Sequence, residues 1–215
     1  DKKFHQRLHV IPNFVDTSAI TPQDRMTTYR RELGIGDQLV VMYAGNVGFS
    51  QSLNLVVDAA ARFPDIAFVI NGDGAARKKL EEDCAQLANV YFGDYQPIER
   101  LSEVLATGDI HLVPLRSGLA SVSVPSKSYS ILAAGRPMLA AIDLNTEIPN
   151  MLQQSGAGVA VEPDNTPAFI EALGQLVSNR ERLKLMGTSG RKWVETHASP
   201  ASVAAQYEAI FLANR

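Results

Sequence analysis

Residues 39–72 read LVVMYAGNVGFSQSLNLVVDAAARFPDIAFVING. Leu39–Gly45 is an apolar run that ends in glycine, and Ile66–Gly72 is another. Neither alternates apolar with polar, so each fits a strand covered on both faces, as in a parallel sheet inside helical layers. Between them Leu53, Val56, Val57, Ala60 and Ala61 recur at helical spacing, which predicts a helix over Leu53–Arg62 with that set facing the core. The stretch is therefore a strand–helix–strand unit.

The same alternation continues outward. Further strands are expected at Val90–Phe92, Ile110–Leu115, Pro137–Ile142 and Gly158–Val161. Helices are expected at Ala75–Leu87, Ile98–Ala106 after Pro97, Ser126–Ala134 ending at Gly135, Pro167–Val177, Arg180–His197 and Pro200–Ala213. Strand–helix repeated about six times predicts an α/β fold with a doubly wound parallel sheet, Rossmann-like, and right-handed crossovers. Upstream, HVIPNFVD reads as a short strand running into a turn, and ITPQDRMTTYRRELGIG as a helix ended by Gly34 and Gly36. The expected organisation is a lead-in over residues 1–36, the α/β domain over 37–179 and C-terminal helices over 180–215.

Composition narrows the function. The chain has 215 residues, 46% hydrophobic and 20% charged, with a net charge of −3, which argues against disorder, coiled coil and general nucleic-acid binding. One cysteine allows neither an intrachain disulfide nor a cysteine-based zinc cage. No apolar run approaches the ~18 residues of a spanning helix, and DKKFHQRLHV carries no secretory leader. The expectation is a soluble, cytoplasmic domain; since it begins at Asp1 and not at Met, it is expected to be a piece of something longer. His5, His9, His111 and His197 are scattered, with no metal-ligand spacing, and His111 reads as packed core. Cys84 reads as a buried structural thiol. Neither a nucleophile elbow nor a Walker lysine loop is present.

Six segments in order, IPNFVD, YAGNVGFSQSLNLVVDAA, INGDGAARKKLEE, PIERLSEVLATGDIHLVPL, PSKSYSILAAGRPMLAA and GVAVEPDNTPAFIEAL with a tail carrying Trp193 and Tyr207, resemble the nucleotide-binding C-terminal half of GT-B glycosyltransferases of retaining family 4, the glycosyl transferases group 1. The resemblance runs from about Val10 to the C-terminus, and PSKSYSILAAGRP is most similar to bacterial transferases that build repeat units of surface polysaccharides.

The resemblance implies a UDP- or GDP-sugar as donor ligand, no cofactor and no metal, no covalent protein intermediate, and a saccharide or lipid-linked acceptor. The acceptor site and the catalytic residues are expected in a missing N-terminal domain, so this half alone is expected to be inactive. The full enzyme is expected in the cytoplasm, peripheral at the inner face of the membrane. The apolar face Val203, Tyr207, Ile210 and Phe211 of the tail, which in the family crosses to the other half, predicts self-association.

Gly45, Asn46, Val47 and Gly48 form a Gly-rich turn at a strand's carboxyl end, where amides can face a diphosphate; a tight strand–helix turn explains the same glycines. Pro125, Ser126 and Lys127 open a helix, where free amides and the dipole favour an anion. Lys127 in that first turn is opposed by the dipole unless an anion is bound, and is either the main diphosphate cation or a solvated lysine.

The family's diphosphate Arg and Lys are replaced by Asn46 and Ser52, a loss of two charge-assisted bonds of roughly 1.5–3 kcal/mol each. Its two Glu fall at Val122 and Ser130; Ser130 is the expected ribose contact, and Ser121, Val122 and Ser123 the expected donor-sugar contacts. Gly72, Tyr95 and Gln96 are placed at the nucleobase, with Asp73 reading better as a turn and N-cap residue than as a ligand. The alternatives are a non-catalytic nucleotide-sugar binding module and a UDP-sugar epimerase of GT-B fold.

Overall fold

The computed structural model describes residues 8–213; His5 lies outside them. The strands are β1 Val40–Ala44, β2 Ala67–Asn71, β3 Val90–Gly93, β4 Ile110–Pro114, β5 Met138–Ala141 and β6 Gly158–Val161. They form one parallel sheet in the order β3-β2-β1-β4-β5-β6. The chain builds outward from β1 to β3 and returns at β4 beside β1. That reversal opens a crevice beyond the carboxyl ends of β1 and β4, where open α/β sheets bind ligands.

The helices are α1 Thr28–Glu32, α2 Asn54–Arg62, α3 Arg77–Asp83, α4 Leu101–Thr107, α5 Lys127–Ala133, α6 Glu147–Ser155, α7 Thr166–Val177, α8 Arg180–His197 and α9 Pro200–Ala213. Strand side chains feed a core on each face. Val41, Tyr43, Phe68, Ile70 and Leu112 pack with Leu55, Val56, Ala59 and Ala60 of α2 and Phe169 and Leu173 of α7. Val113, Met138 and Ala140 pack with Tyr129, Ile131 and Leu132 of α5, Ile148 and Leu152 of α6 and Val194 of α8. Each fully buried Leu, Ile, Val or Phe contributes about 1.5–3 kcal/mol of transfer free energy.

Several expectations are corrected. The inner face of α2 is Leu55, Val56, Ala59 and Ala60; Ala61 is exposed, because the helix is turned by about one residue from the expected stripe. His9–Asp16 makes no strand; Val15 instead donates its N–H to the Ala198 carbonyl behind α8. The helix expected over Ile20–Gly36 shrinks to α1, capped by the Thr27 hydroxyl on the Arg30 N–H. Upstream of that cap Arg25 reaches away to Asp109, Nε to Oδ1 at 2.6 Å and Nη2 to Oδ2 at 3.0 Å. Arg30 is fully buried on the carbonyls of Gly36, Thr107 and Gln38.

Helix α6 is not among the sequence expectations. Pro149 is its third residue, where the missing N–H costs nothing because the first turn's donors lack intrahelical partners. Helix α5 ends as expected: Gly135 takes φ +67°, and the Arg136 and Gly135 amides return to the Ile131 and Leu132 carbonyls.

Candidate functional site

Five of the expected site residues meet in one cleft. Gly45, Lys127, Ser130, Tyr95 and Gln96 line a hollow of about 160 Å³ with Ala44, Asn71, Leu101, Val104, Leu105 and Ile131. It lies at the carboxyl ends of β1 and β2, walled by α4 and α5. A larger hollow of about 400 Å³ sits at the opposite end of the sheet beside Leu39, Asp109 and Pro137, where Arg25 is already paired with Asp109 and Asp37.

Lys127 dominates the cleft electrostatically. Its Nζ stands 3.8 Å from the centroid of the Tyr43 ring, and no carboxylate pairs with it among the described residues. Burial pushes its pKa down to about 7. Nζ also lies 2.9 Å from where a Cβ on Gly45 would stand, and Gly45 holds φ +140°, so the glycine clears the space the ammonium occupies. The Tyr43 hydroxyl donates to the Asn46 carbonyl and fixes the ring under the cation.

The Gly-rich turn is tied mostly to itself. The Gly45 N–H donates to Asn71 O, Val47 N–H to Asp73 O and Gly48 N–H to Gln51 Oε1. Val47 is fully buried. Of the four amides, only that of Asn46 has no internal acceptor among the described residues. The expected amide cradle is therefore reduced to one donor, because the Gly45 and Val47 amides hold β1 to the 71–74 loop and the Gly48 amide binds Gln51. Gly72 is there for close approach: a Cβ on it would lie 2.0 Å from Gly45 O. Asp73 accepts the Gly74 N–H at 2.7 Å and makes a turn; it does not cap α3, which starts after Ala76 with no side-chain cap.

At the other wall α5 begins at Lys127, one residue later than expected, and has seven residues. The Ser128 and Tyr129 amides already donate to Pro125 O and Ser126 O. Pro125 and Ser126 do not line the cleft, so the wall offers the Lys127 ammonium in place of a ring of helix-end amides. Ser52, at the family's lysine position, is fully buried with its hydroxyl donated to the Asp164 carboxylate. Ser121, Val122 and Ser123 are exposed outside the cleft lining, Val122 by 80%. Asp143 anchors the start of their loop, accepting the Gly118 N–H at 3.0 Å and the Ala120 N–H at 3.3 Å, Asp164 accepts the Ser117 N–H at 3.3 Å, and the Val122 and Ser123 amides turn back on Leu119 O. Asp164 holds φ +55°, an unusual backbone for a residue with a side chain.

Tyr95 is 57% exposed at the cleft mouth. Gln96 spends Nε2 on Asp94 O and Oε1 on Arg100. Sequence alone marks none of Tyr43, Asp143 and Asp164, and reads Asn71 only as part of the turn Asn71-Gly72-Asp73-Gly74. The signal for Asn71 was present: it is the first polar residue after four apolar ones in β2. Cys84 is buried, and burial raises its thiol to about 11. His111 is fully buried, Nε2 on Leu105 O at 2.8 Å, and burial lowers it to about 4. Among the described residues no three His, Cys, Asp or Glu side chains converge as a metal cage would.

The model of the family described as Glycosyl transferases group 1 matches residues 38–179. WcaI of Escherichia coli (strain K12), named for a glycosyl transferase role in colanic acid biosynthesis, is 30% identical over 184 residues, which are 83% of this chain and 44% of WcaI. Among solved structures, HepE of Anabaena in complex with UDP-glucose superposes with a TM-score of 0.80 at 14% identity, over 95% of this chain and 57% of HepE. The C-terminal domain of the group 1 protein LpcC from Francisella tularensis superposes with a TM-score of 0.71 at 18% identity, over 86% of this chain and 99% of that domain. The chain thus spans about half the length of its full-length relatives, and its sheet and helices are those of one half of the GT-B architecture.

Proposed function

Because the chain belongs to the glycosyl transferases group 1 family, we propose that it is the nucleotide-sugar-binding half of a retaining glycosyltransferase. In this reading the diphosphate of a UDP- or GDP-sugar lies between Lys127 and the Asn46 amide, the ribose meets Ser130, and the base enters the slot behind Tyr95. The sugar extends toward Ser121–Ser123. Support for the ligand class comes from HepE, solved with UDP-glucose, and support for surface-polysaccharide synthesis from the name of WcaI.

The observation that carries the reading is the unpaired Lys127 ammonium held on Tyr43 beside Gly45. A buried cation without a counter-ion is costly unless an anion arrives. As the glycosidic bond breaks, negative charge grows on the departing diphosphate, and a preorganised ammonium stabilises that charge. The incoming hydroxyl attacks from the leaving-group side, and the groups that hold it belong to the N-terminal domain the family supplies. No described helix is long and apolar enough to cross a membrane; the reading puts the enzyme in the cytoplasm, meeting a lipid-linked acceptor at the membrane surface.

The test is calorimetric titration with UDP, GDP and UDP-glucose. Binding of roughly −4 to −7 kcal/mol is expected for a half cleft, with affinity falling at least about tenfold in Lys127→Ala. Absence of binding at millimolar nucleotide overturns the reading, and unchanged affinity in Lys127→Ala removes the lysine from it. A non-catalytic nucleotide-sugar module is favoured by two observations: Ser52 is spent on Asp164, and Val122 stands exposed where the family has a sugar-facing Glu. Joining the chain to an N-terminal half and assaying sugar transfer separates the two.

A further inference from the structure

The apolar slot of the cleft contains one carboxamide whose donors are unspent. Asn71 closes β2, is 5% exposed and lines the slot opposite Leu101, Val104 and Leu105. The Tyr29 hydroxyl, brought from α1, donates to Asn71 Oδ1. Tyr29 is itself buried, with its oxygen packed so closely on Gly93 that a Cβ there would stand 2.1 Å away. Turning the amide round would set the NH2 group against the phenol and leave the buried O–H proton without an acceptor, which native interiors avoid. The network therefore fixes the oxygen toward Tyr29 and the NH2 group toward the slot. Gln96, the neighbouring carboxamide, has both polar ends engaged by Asp94 O and Arg100. Of the other lining residues Ala44, Leu101, Val104, Leu105 and Ile131 offer no side-chain hydrogen bond, and Lys127, Ser130 and Tyr95 are the groups the reading gives to the diphosphate, the ribose and the cleft mouth.

We propose that Asn71 selects the nucleobase: its NH2 group donates to a ring carbonyl, so the slot prefers nucleoside diphosphates with a keto base, uracil or guanine, over those with an amine at the same ring position, cytosine or adenine. An amine there meets a second donor in an apolar slot where water cannot repair the mismatch. This inference rests on the reading that the cleft holds a nucleotide. Tyr29 acts through Asn71 and is a positioning residue.

The experiment measures dissociation constants of UDP, CDP, GDP and ADP for the full chain and two variants. The parent is expected to bind UDP and GDP at least about tenfold more tightly than CDP and ADP. Asn71→Asp keeps an oxygen for Tyr29 and replaces the donor by an acceptor; the UDP-to-CDP preference is expected to reverse. Tyr29→Phe frees the amide to turn; UDP still binds, and the UDP-to-CDP ratio falls toward one. Equal affinity of the parent for UDP and CDP overturns the inference, as does an unchanged ratio in a folded Asn71→Asp; if that variant does not fold, an unchanged ratio in Tyr29→Phe overturns it. If none of the four nucleotides binds the parent, the reading of the cleft fails first, and the inference with it.

Discussion

Lys127 couples the cleft to pH. In the unliganded protein its pKa of about 7 leaves the ammonium largely neutral at pH 8.5, while a diphosphate beside it restores the charged form. Binding above pH 7 therefore takes up a proton, and the affinity for UDP-glucose is expected to fall as pH rises from 7 to 9, by up to about tenfold per unit. Calorimetry in buffers of different ionisation enthalpy reads the proton directly. Lys127→Met abolishes the slope. It also raises the melting temperature at pH 7, since a lysine depressed in the folded state costs stability as pH falls toward its folded value.

His111 has the opposite visibility. Its pKa of about 4 against an ordinary value near 6.5 means that the unfolded chain binds the extra proton between those limits. Stability is expected to drop by about 3 kcal/mol from pH 7 to pH 4 on this account, as urea melts would measure. At this scale the sequence showed Lys127 through its conflict with a helix dipole, and His111 through its apolar neighbours. Asn71 shows in sequence only as the polar end of an apolar strand, and its partner stays hidden because Tyr29 lies 42 positions away. The Ser52 hydroxyl stayed hidden for the same reason, its acceptor Asp164 being 112 positions away.

Among the elements, the six strands were readable because each is apolar on both faces, and that pattern survives any tertiary detail. Helix α6 was missed because Pro149 and the polar run before it imitate a loop. The lead-in helix is shorter than its periodicity predicts because Arg25 reaches Asp109 and the Thr27 hydroxyl meets that of Thr107, both in the domain. On the proposed reading, the loop over residues 117–123 is the element that meets the sugar. Its first half hangs from Asp143 and Asp164, and its second half is exposed. Asp143→Ala is expected to raise amide exchange at Gly118 and Ala120 by about tenfold or more, the loss of two charge-assisted bonds. The same variant should weaken UDP-glucose binding while leaving UDP itself within about twofold. A matched loss for both ligands would mean that the loop does not meet the sugar.

Among the described residues the closing helix leaves a bare apolar flank. Helix α8 buries Leu183, Met186 and Val194, whereas α9 buries Val203 and leaves Tyr207, Phe211 and Leu212 exposed. Apolar area of that kind favours association. Sedimentation is expected to show concentration-dependent dimers, reduced by Tyr207→Ser with Phe211→Ser; a monomer at millimolar protein contradicts this.

The segment from Val15 to Gln38 is riveted to the body. Val15 bonds Ala198, Arg191 holds the Thr17 and Ile20 carbonyls, and Arg25 and Arg30 converge on Asp109 at the root of β4. A hinge needs slack, and these contacts recur along the stretch. On the reading that an amino-terminal domain completes the cleft, its pivot is expected before Val15, and residues 15–38 are expected to travel with the sheet.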